Sequence, residues 1–484
     1  MNNVELKPKI IFDIFAEINQ VPRPSGHEEK MGAYLKDFAE KHGLGFKMDA
    51  AGNVLISAPA TPGYENKKPV IIQAHQDMVP EKNPDVEMNF LTDPIKTKIK
   101  GEWMMAKGTT LGADDGVGIA MGLAAMIDPD VEHGPMECLF TTDEERGLTG
   151  AEAIERNFMH GDILINLDSE DEGELFVGCA GGIRTNAEFT YTPVEVPENY
   201  IFLELALKNG KGGHSGDDIN KGLANANKVL FRFLYKANRK YGMYLCSFNG
   251  GGLHNAIPRD ASAVIAVPMM NKEEIRVDFN NWAAGVKEEF KRTEPAMELV
   301  MQSIDPRPAI DSKTADNLIN CIMAVCNGVF EMSRDIEGLV ETSSNLASVK
   351  MGEGNTIKVT ASQRSSAENG KEVMADTIRA ALELGGAKVE NLASYPGWAP
   401  NMDSEILKIA VDTYRNLFGK EPKVKAIHAG LECGLFKEKY PELDMISFGP
   451  TLRGVHSPEE RLHIPAVDLC WRHLKAILKA IPEV

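Results

Sequence analysis

The sequence predicts an α/β protein whose mostly parallel central sheet is covered by helices, with an α+β region of two tandem modules inserted into it. Three observations carry this expectation. Between Pro69 and Gly178 apolar strands alternate with helical segments, the texture of a parallel sheet covered on both faces. From Tyr200 onward a helix and a pair of alternating strands recur twice. From Pro396 the first texture returns. The expected boundaries are 1–185 with 396–484 for the split sheet domain and 186–395 for the insertion. An insertion is well tolerated where both its ends leave one exposed edge.

The elements follow in chain order. Residues 8–19 read as an amphipathic helix closed by a VPRPSG turn, and Ser25 to Glu28 reads as a capping box that opens a helix ending at Gly43. Apolar residues flank the turn at 49–53, which suggests a hairpin over 46–56. Strands are expected at 69–75, 136–142 and 162–168, with helices from about 115 and near 148–157. In the insertion, strands fall at 200–207, 243–248 and 262–268, with helices at 221–238 and 272–293. The second round comprises a helix at 312–332, strands at 338–350 and 355–363, and a helix at 369–385. Helices at 404–418 and 465–480 and strands at 423–428 and 444–449 complete the chain.

Composition narrows the class of function. The chain has 484 residues, 43% hydrophobic and 25% charged, enough to bury more than one core. Its net charge of −19 argues against binding nucleic acid through phosphate contacts and suits a site built from carboxylates around cations. Seven scattered cysteines without a C-x-x-C pair fit buried thiols in a reducing compartment. The N-terminal residues lack a signal-peptide core, and no run approaches the length of a membrane span. The expectation is a cytoplasmic protein with no membrane contact.

The chemistry centres on 108–125, GTTLGADDGVGIAMGLAA, where Asp114 and Asp115 stand before an apolar helix. Acids are favoured at a helix N-terminus for capping alone. Their company points further. PVIIQAHQDMVP ends a strand in His75 and Asp77, MECLFTTDEE ends one in Glu144 and Glu145, and DILINLD ends one in Asp168. In open α/β sheets that edge of the strands is where ligands bind. A carboxylate two residues from a histidine can fix its tautomer and raise its basicity as a metal ligand. Of two adjacent glutamates, one can ligate while the other acts as general base. His456 lies in a Gly/Pro loop, GPTLRGVHSPEE. Together these side chains make a mixed nitrogen and oxygen set suited to Zn²⁺ or another borderline divalent ion. They exceed what one tetrahedral ion takes, so two ions bridged by Asp114 use them all.

The ordered set QAHQDMV, GTTLGADDGVG, TTDEERG, INLDSE, GGHSG, NAIPR, AGLECG and GVHSPEE resembles the aminoacylhistidine dipeptidases, the carnosinase-type branch of the co-catalytic zinc exopeptidases. The resemblance covers essentially the whole chain. It implies His75 and Asp168 on one metal ion, Glu145 and His456 on the other, and Asp114 between them. It further implies that Asp77 orients His75, that Glu144 is the general base, and that the 114–115 peptide is cis. The insertion would be a lid. His214 would polarise the scissile carbonyl, in its own site or a partner's, while Asn255 and Arg364 would hold the substrate carboxylate. Glu432 would meet the free amino group of a dipeptide. The implied cofactors are two divalent ions per chain, Zn²⁺ with Co²⁺ or Mn²⁺ as alternatives. The implied partners are a small dipeptide, Xaa-His in kind, and a second copy of the chain in a homodimer. An N-acyl amino acid deacylase of the same architecture is the nearest rival, and a non-catalytic binding scaffold a remote one.

Overall fold

The computed structural model describes residues 5–484, which form two compact units. The first runs up to Gly178 and resumes over Pro400–Ala426 and Leu431–Val484; the second comprises Cys179–Ala399 and Ile427–Gly430.

In the first unit the eight-stranded sheet has the order Gly45–Met48, Val54–Ala58, Met136–Thr141, Val70–His75, Ile163–Asn166, Asp444–Ser447, Glu174–Cys179, Lys423–Ile427. Val70–His75 pairs in parallel with Met136–Thr141 and Ile163–Asn166, and the latter with Asp444–Ser447. Gly45–Met48 with Val54–Ala58, Val54–Ala58 with Met136–Thr141, and Asp444–Ser447 with Glu174–Cys179 are antiparallel pairs. The α/β class holds, and the sheet is mixed, with parallel pairs at its centre. Its centre is buried on both faces, which is why those strands read as continuous apolar runs rather than alternating ones.

The helix Ala113–Ile127 is apolar on every side and packs on Lys9–Ile18 and Val70–His75. Its small residues permit the close approach. A Cβ at Gly122 would lie 3.4 Å from Ile72 and 3.3 Å from the Cys138 sulfur. A smaller antiparallel sheet, Leu452–Arg453, Arg461–His463, Trp103–Ala106 and Thr97–Lys100, lies outside the sequence expectation. It positions the loop that carries His456.

The second unit has one antiparallel sheet, Glu298–Ser303, Tyr200–Lys208, Ala261–Pro268, Tyr244–Gly251, Val340–Gly352, Thr356–Ser365, Gly181–Thr190 and Lys388–Tyr395, with Gly328–Met332 added on Val340–Gly352. The two expected modules are the halves of this sheet, joined where Asn249–Gly251 pairs with Ser348–Lys350. Helices Ala226–Tyr241, Lys272–Glu289, Ser312–Ala324 and Glu368–Leu384 bury their apolar faces in a single core.

Three local expectations are corrected. The helix expected at 312–332 ends at Ala324, and Gly328–Met332 is a strand. The helix near 148–157 is only Thr149–Ala153. The capping box at 25–28 does not form: the helix starts at Glu29, and the Glu28 carboxylate instead accepts from the N–H groups of Gly26 and Asp143. Among the described residues, no helix is long and apolar enough to cross a membrane.

Candidate metal centre

Each expected ligand stands at the carboxyl end of a parallel strand, at the start of a helix, or on the turn of the small sheet. Asp114 is central. Its Oδ1 lies 3.0 Å from His75 Nε2 and its Oδ2 lies 3.1 Å from His456 Nε2. One carboxylate therefore faces two histidines that are far apart in sequence, one oxygen to each. His75 Nε2 is also 3.7 Å from Asp168, and His456 Nε2 is 2.9 Å from Glu145. His75, Asp114 and Glu145 each bring a ligand atom within 4.8 Å of the others, as do His75, Asp115 and Asp168. All of these residues lie in the first unit.

Asp77 supports this arrangement in two directions. Its Oδ1 is 3.3 Å from His75 Nδ1, and its carboxylate accepts from the N–H groups of Glu144 and Glu145 at 3.0 and 3.3 Å. It thus serves as the acid at the start of the short helix Glu144–Gly147 and stands beside the His75 ring. Asp143 and His456 adopt left-handed backbone conformations, with φ of 53° and 60°. Such conformations in non-glycine residues persist where surrounding structure imposes them and cluster at functional sites. The Asp114–Asp115 peptide is cis.

The electrostatics show the same concentration of charge. Burial opposes the charged form of His75, yet Asp168, Asp114 and Asp77 hold its imidazole well above the ordinary range. Hydrogen bonding to Asp114 and Glu145 lifts His456 to about 11. Burial raises Glu144 well above the usual carboxylate range, and Glu145, Glu432 and Asp114 add to this. Asp168 and Asp115 are raised in the same way, by burial and by neighbouring acids, Asp115 and Asp114 acting on Asp168 and Asp114 on Asp115. Burial opposes ionisation of Asp77 as well, but its bonds to His75 bring it down to about 2.

These residues fit a pair of divalent cations. Two imidazoles and a surplus of buried carboxylates form the donor set. Glu145 Oε1 is buried without a hydrogen-bond partner, a cost that coordination would remove. Histidine with carboxylate is the chemistry of borderline divalent ions.

A second group gathers within the second unit. Gly213–His214 pairs with Ala256–Ile257, and Ser215 N–H donates to the Asn255 carbonyl at 2.8 Å, so His214 and Asn255 share one ribbon. His214 Nδ1 accepts from the N–H groups of Gly216 and Asp217, which leaves the proton on Nε2. Arg364 is nearly buried; its Nη1 donates to the Tyr395 hydroxyl at 3.0 Å and its Nε has no hydrogen-bond partner. His428, bonded to Ser343 at 2.7 Å, is held neutral: burial and the Arg364 charge lower it to about 4. Tyr395 and His428 went unnoticed in the sequence because neither sits in a patterned motif.

Glu432 lies in the first unit. It is 1% exposed, and its Oε2 accepts from Gln73 at 2.6 Å and Thr141 at 2.8 Å. Gln73 in turn accepts from Asn166, which accepts from Ser447, and Ser447 meets Ser169. This buried polar row crosses the strand ends two residues before His75 and Asp168. The other oxygen of Glu432, Oε1, is buried without a hydrogen-bond partner, and burial raises the carboxyl to about 7.

The model of peptidase family M20/M25/M40 matches residues 71–480. The chain is 44% identical over 479 residues to the cytosol non-specific dipeptidase of Escherichia coli strain K12, covering 99% of each. The crystal structure of the aminoacylhistidine dipeptidase from Vibrio alginolyticus superposes with a TM-score of 0.94 at 43% identity, covering 100% of this chain and 99% of that one. The aminopeptidase PepT structure from Bacillus cereus ATCC 10987, at 16% identity and a TM-score of 0.58 over 98% of both chains, shares the fold. With a family match over most of its length and a relative this similar from end to end, the chain belongs to peptidase family M20/M25/M40.

Proposed function

We propose that the protein is a cytosolic, homodimeric dipeptidase that uses two zinc ions to hydrolyse short dipeptides, Xaa-His among them. The observation that carries this reading is the Asp114 carboxylate standing between His75 and His456, with Glu144 and Glu145 opening a helix beside them. Its relatives' names agree on dipeptides and differ on breadth: one is called non-specific, the other aminoacylhistidine.

His75 and Asp168 would hold one ion and Glu145 and His456 the other, with Asp114 bridging; Asp115 is an additional acid in reach of the first. The ions supply Lewis acidity toward the scissile carbonyl and the attacking water. Glu144 takes the proton from that water and passes it to the leaving amine. Its place beside the Asp114 carboxylate, among buried acids, suits it to that transfer. His214, protonated at Nε2, donates toward the carbonyl oxygen as charge develops there. Asn255 and Arg364 take the substrate carboxylate, for which a planar guanidinium is well shaped.

The test is metal content together with hydrolysis of β-alanyl-histidine, glycyl-histidine, glycyl-leucine and an N-acetyl amino acid, before and after chelation. Two ions per chain and chelator-sensitive cleavage of the histidine dipeptides are expected. Comparable cleavage of glycyl-leucine would assign the broader specificity. Activity on the acyl compound alone would overturn the dipeptidase reading in favour of a deacylase.

A further inference from the structure

Arg23 is among the most deeply buried polar side chains of the protein, 1% exposed. Its carboxylate neighbours Asp77, Glu460, Asp115 and Asp114 surround it electrostatically, yet its guanidinium spends its hydrogen bonds on backbone. Nη1 donates to the carbonyls of Gln76 and Asp77, both at 2.8 Å, and Nη2 donates to the Gly112 carbonyl at 2.5 Å. The first two carbonyls follow His75 directly. The third lies two residues before Asp114. The same guanidinium accounts for two glycines of the 108–118 segment: a Cβ at Gly112 would lie 2.8 Å from Nη2, and one at Gly116 would lie 2.5 Å from it.

The 111–114 loop is held from its other side as well. Glu460, also buried, accepts from four consecutive N–H groups: Leu111 at 2.7 Å and Gly112 at 3.1 Å through Oε2, Ala113 at 2.8 Å and Asp114 at 3.3 Å through Oε1. Glu460 is four residues beyond His456 and on the same loop. One charged side chain therefore grips the carbonyl face of the Asp114 loop and ties it to the His75 segment. A second, of opposite charge, grips its N–H face and ties it to the His456 segment.

We propose that Arg23 and Glu460 are a two-sided clamp that fixes the Asp114 loop between the His75 and His456 segments, and so sets the spacing of the two halves of the metal centre. Both are positioning residues and touch no reacting atom. The inference rests on the metal-centre reading. Charge and geometry matter separately here. Lysine at 23 keeps the charge but lacks the planar fork that reaches both segments. Glutamine at 460 offers one acceptor oxygen where two are used, and turns an NH₂ toward backbone donors.

The test uses the full chain, stripped with chelator and titrated with Zn²⁺ against a chromophoric competitor, for wild type, Arg23→Lys, Arg23→Met and Glu460→Gln. Melting temperatures are taken without metal, and kcat and KM on β-alanyl-histidine after reloading. Altered outer partners of metal ligands typically cost about 10–100-fold in affinity. We expect losses of that size for at least one Zn²⁺ equivalent in Arg23→Met and Glu460→Gln, a smaller loss in Arg23→Lys, and a fall in kcat with KM changed less than about threefold. Wild-type Zn²⁺ affinity in Arg23→Lys and Glu460→Gln, with only a lowered melting temperature, would overturn the clamp. If Arg23→Met does not fold, the other two variants decide the matter. A wild-type protein that binds no Zn²⁺ overturns the metal-centre reading and the clamp with it.

Discussion

Glu144 and Glu145 are adjacent on one short helix, yet the proposed chemistry divides them completely. Glu145 is 2.9 Å from His456, on the metal side, whereas Glu144 is raised by burial among acids and left for proton transfer. Glu144→Gln should therefore lower kcat by about 10²–10⁴-fold, the usual worth of a general base, while metal content measured by atomic absorption stays at the wild-type value. Glu145→Gln should reduce metal content. Retained activity in Glu144→Gln would remove Glu144 from the base role. At this scale the expected ligands were legible because each of three strands, ending at His75, Thr141 and Asn166, is an apolar run followed by acid or histidine. Arg23 and Glu460 were not, although both stand in quoted segments, VPRPSG and GVHSPEE. They act on backbone atoms of distant segments, and no side-chain pattern records that. The partners of Glu432 went unread for a related reason: Gln73 and Thr141 sit in strands whose apolar character hid two polar positions.

The elements that sequence captured well are those fixed by local pattern, and those it missed are fixed by tertiary pairing. Val70–His75 and Ala113–Ile127 follow from apolar continuity and small residues. The small sheet under His456 does not, because Leu452–Arg453 and Arg461–His463 are too short to have a period. The capping box failed because the Ser25 N–H and hydroxyl both donate to the distant Met78 carbonyl, and the Glu28 carboxylate takes the Gly26 N–H instead. The last helix, Ile464–Ala480, carries a titratable group whose effect can be isolated. His473 packs edge-on to Tyr414 at 5.2 Å, lies 5.1 Å from Phe448 and bonds to the Ala410 carbonyl at 2.9 Å. Burial lowers it to about 4 from the ordinary 6.5. Above pH 6.5 both folded and unfolded chains are neutral there and its contribution to stability is complete. Below that, the unfolded chain takes up a proton that the folded chain refuses, so stability falls as pH drops toward 4. The loss is on the order of 3 kcal/mol at the low end. Urea unfolding of chelated wild type and His473→Phe at pH 7 and pH 4.5 should show a visibly smaller pH effect in the variant. An unchanged pH effect would mean that the ring is protonated in the folded state.

At the scale of the molecule, the division of labour between the two units makes metal binding a local stability term. His75, Asp114, Glu145, Asp168 and His456 all belong to the first unit, along with Arg23, Asp77 and Glu460. The second unit has its own sheet and its own core around Phe231, Phe248 and Leu318. Ions that bind only the folded first unit stabilise it by mass action, about 4 kcal/mol for a site at a thousand times its dissociation constant. Removing them leaves a cluster of buried acids with Arg23 and the histidines as countercharge. The segments that carry those acids should then open more often, and opening is read residue by residue through amide exchange. Hydrogen exchange with and without chelator should therefore show lost protection at 70–78, 111–118, 141–150 and 452–460. The strands Tyr200–Lys208 and Ala261–Pro268, paired along their length in the second unit, should exchange at unchanged rates. The order of loss within the first unit matters too. The strand interiors Val70–Ile72 and Ile163–Ile165 are buried and fully paired, so protection should fail first at the loops beyond them and only later in the sheet. Equal loss across both units would show that the ions stabilise the fold as a whole, and would place the energetic boundary of the metal centre well outside the side chains that form it.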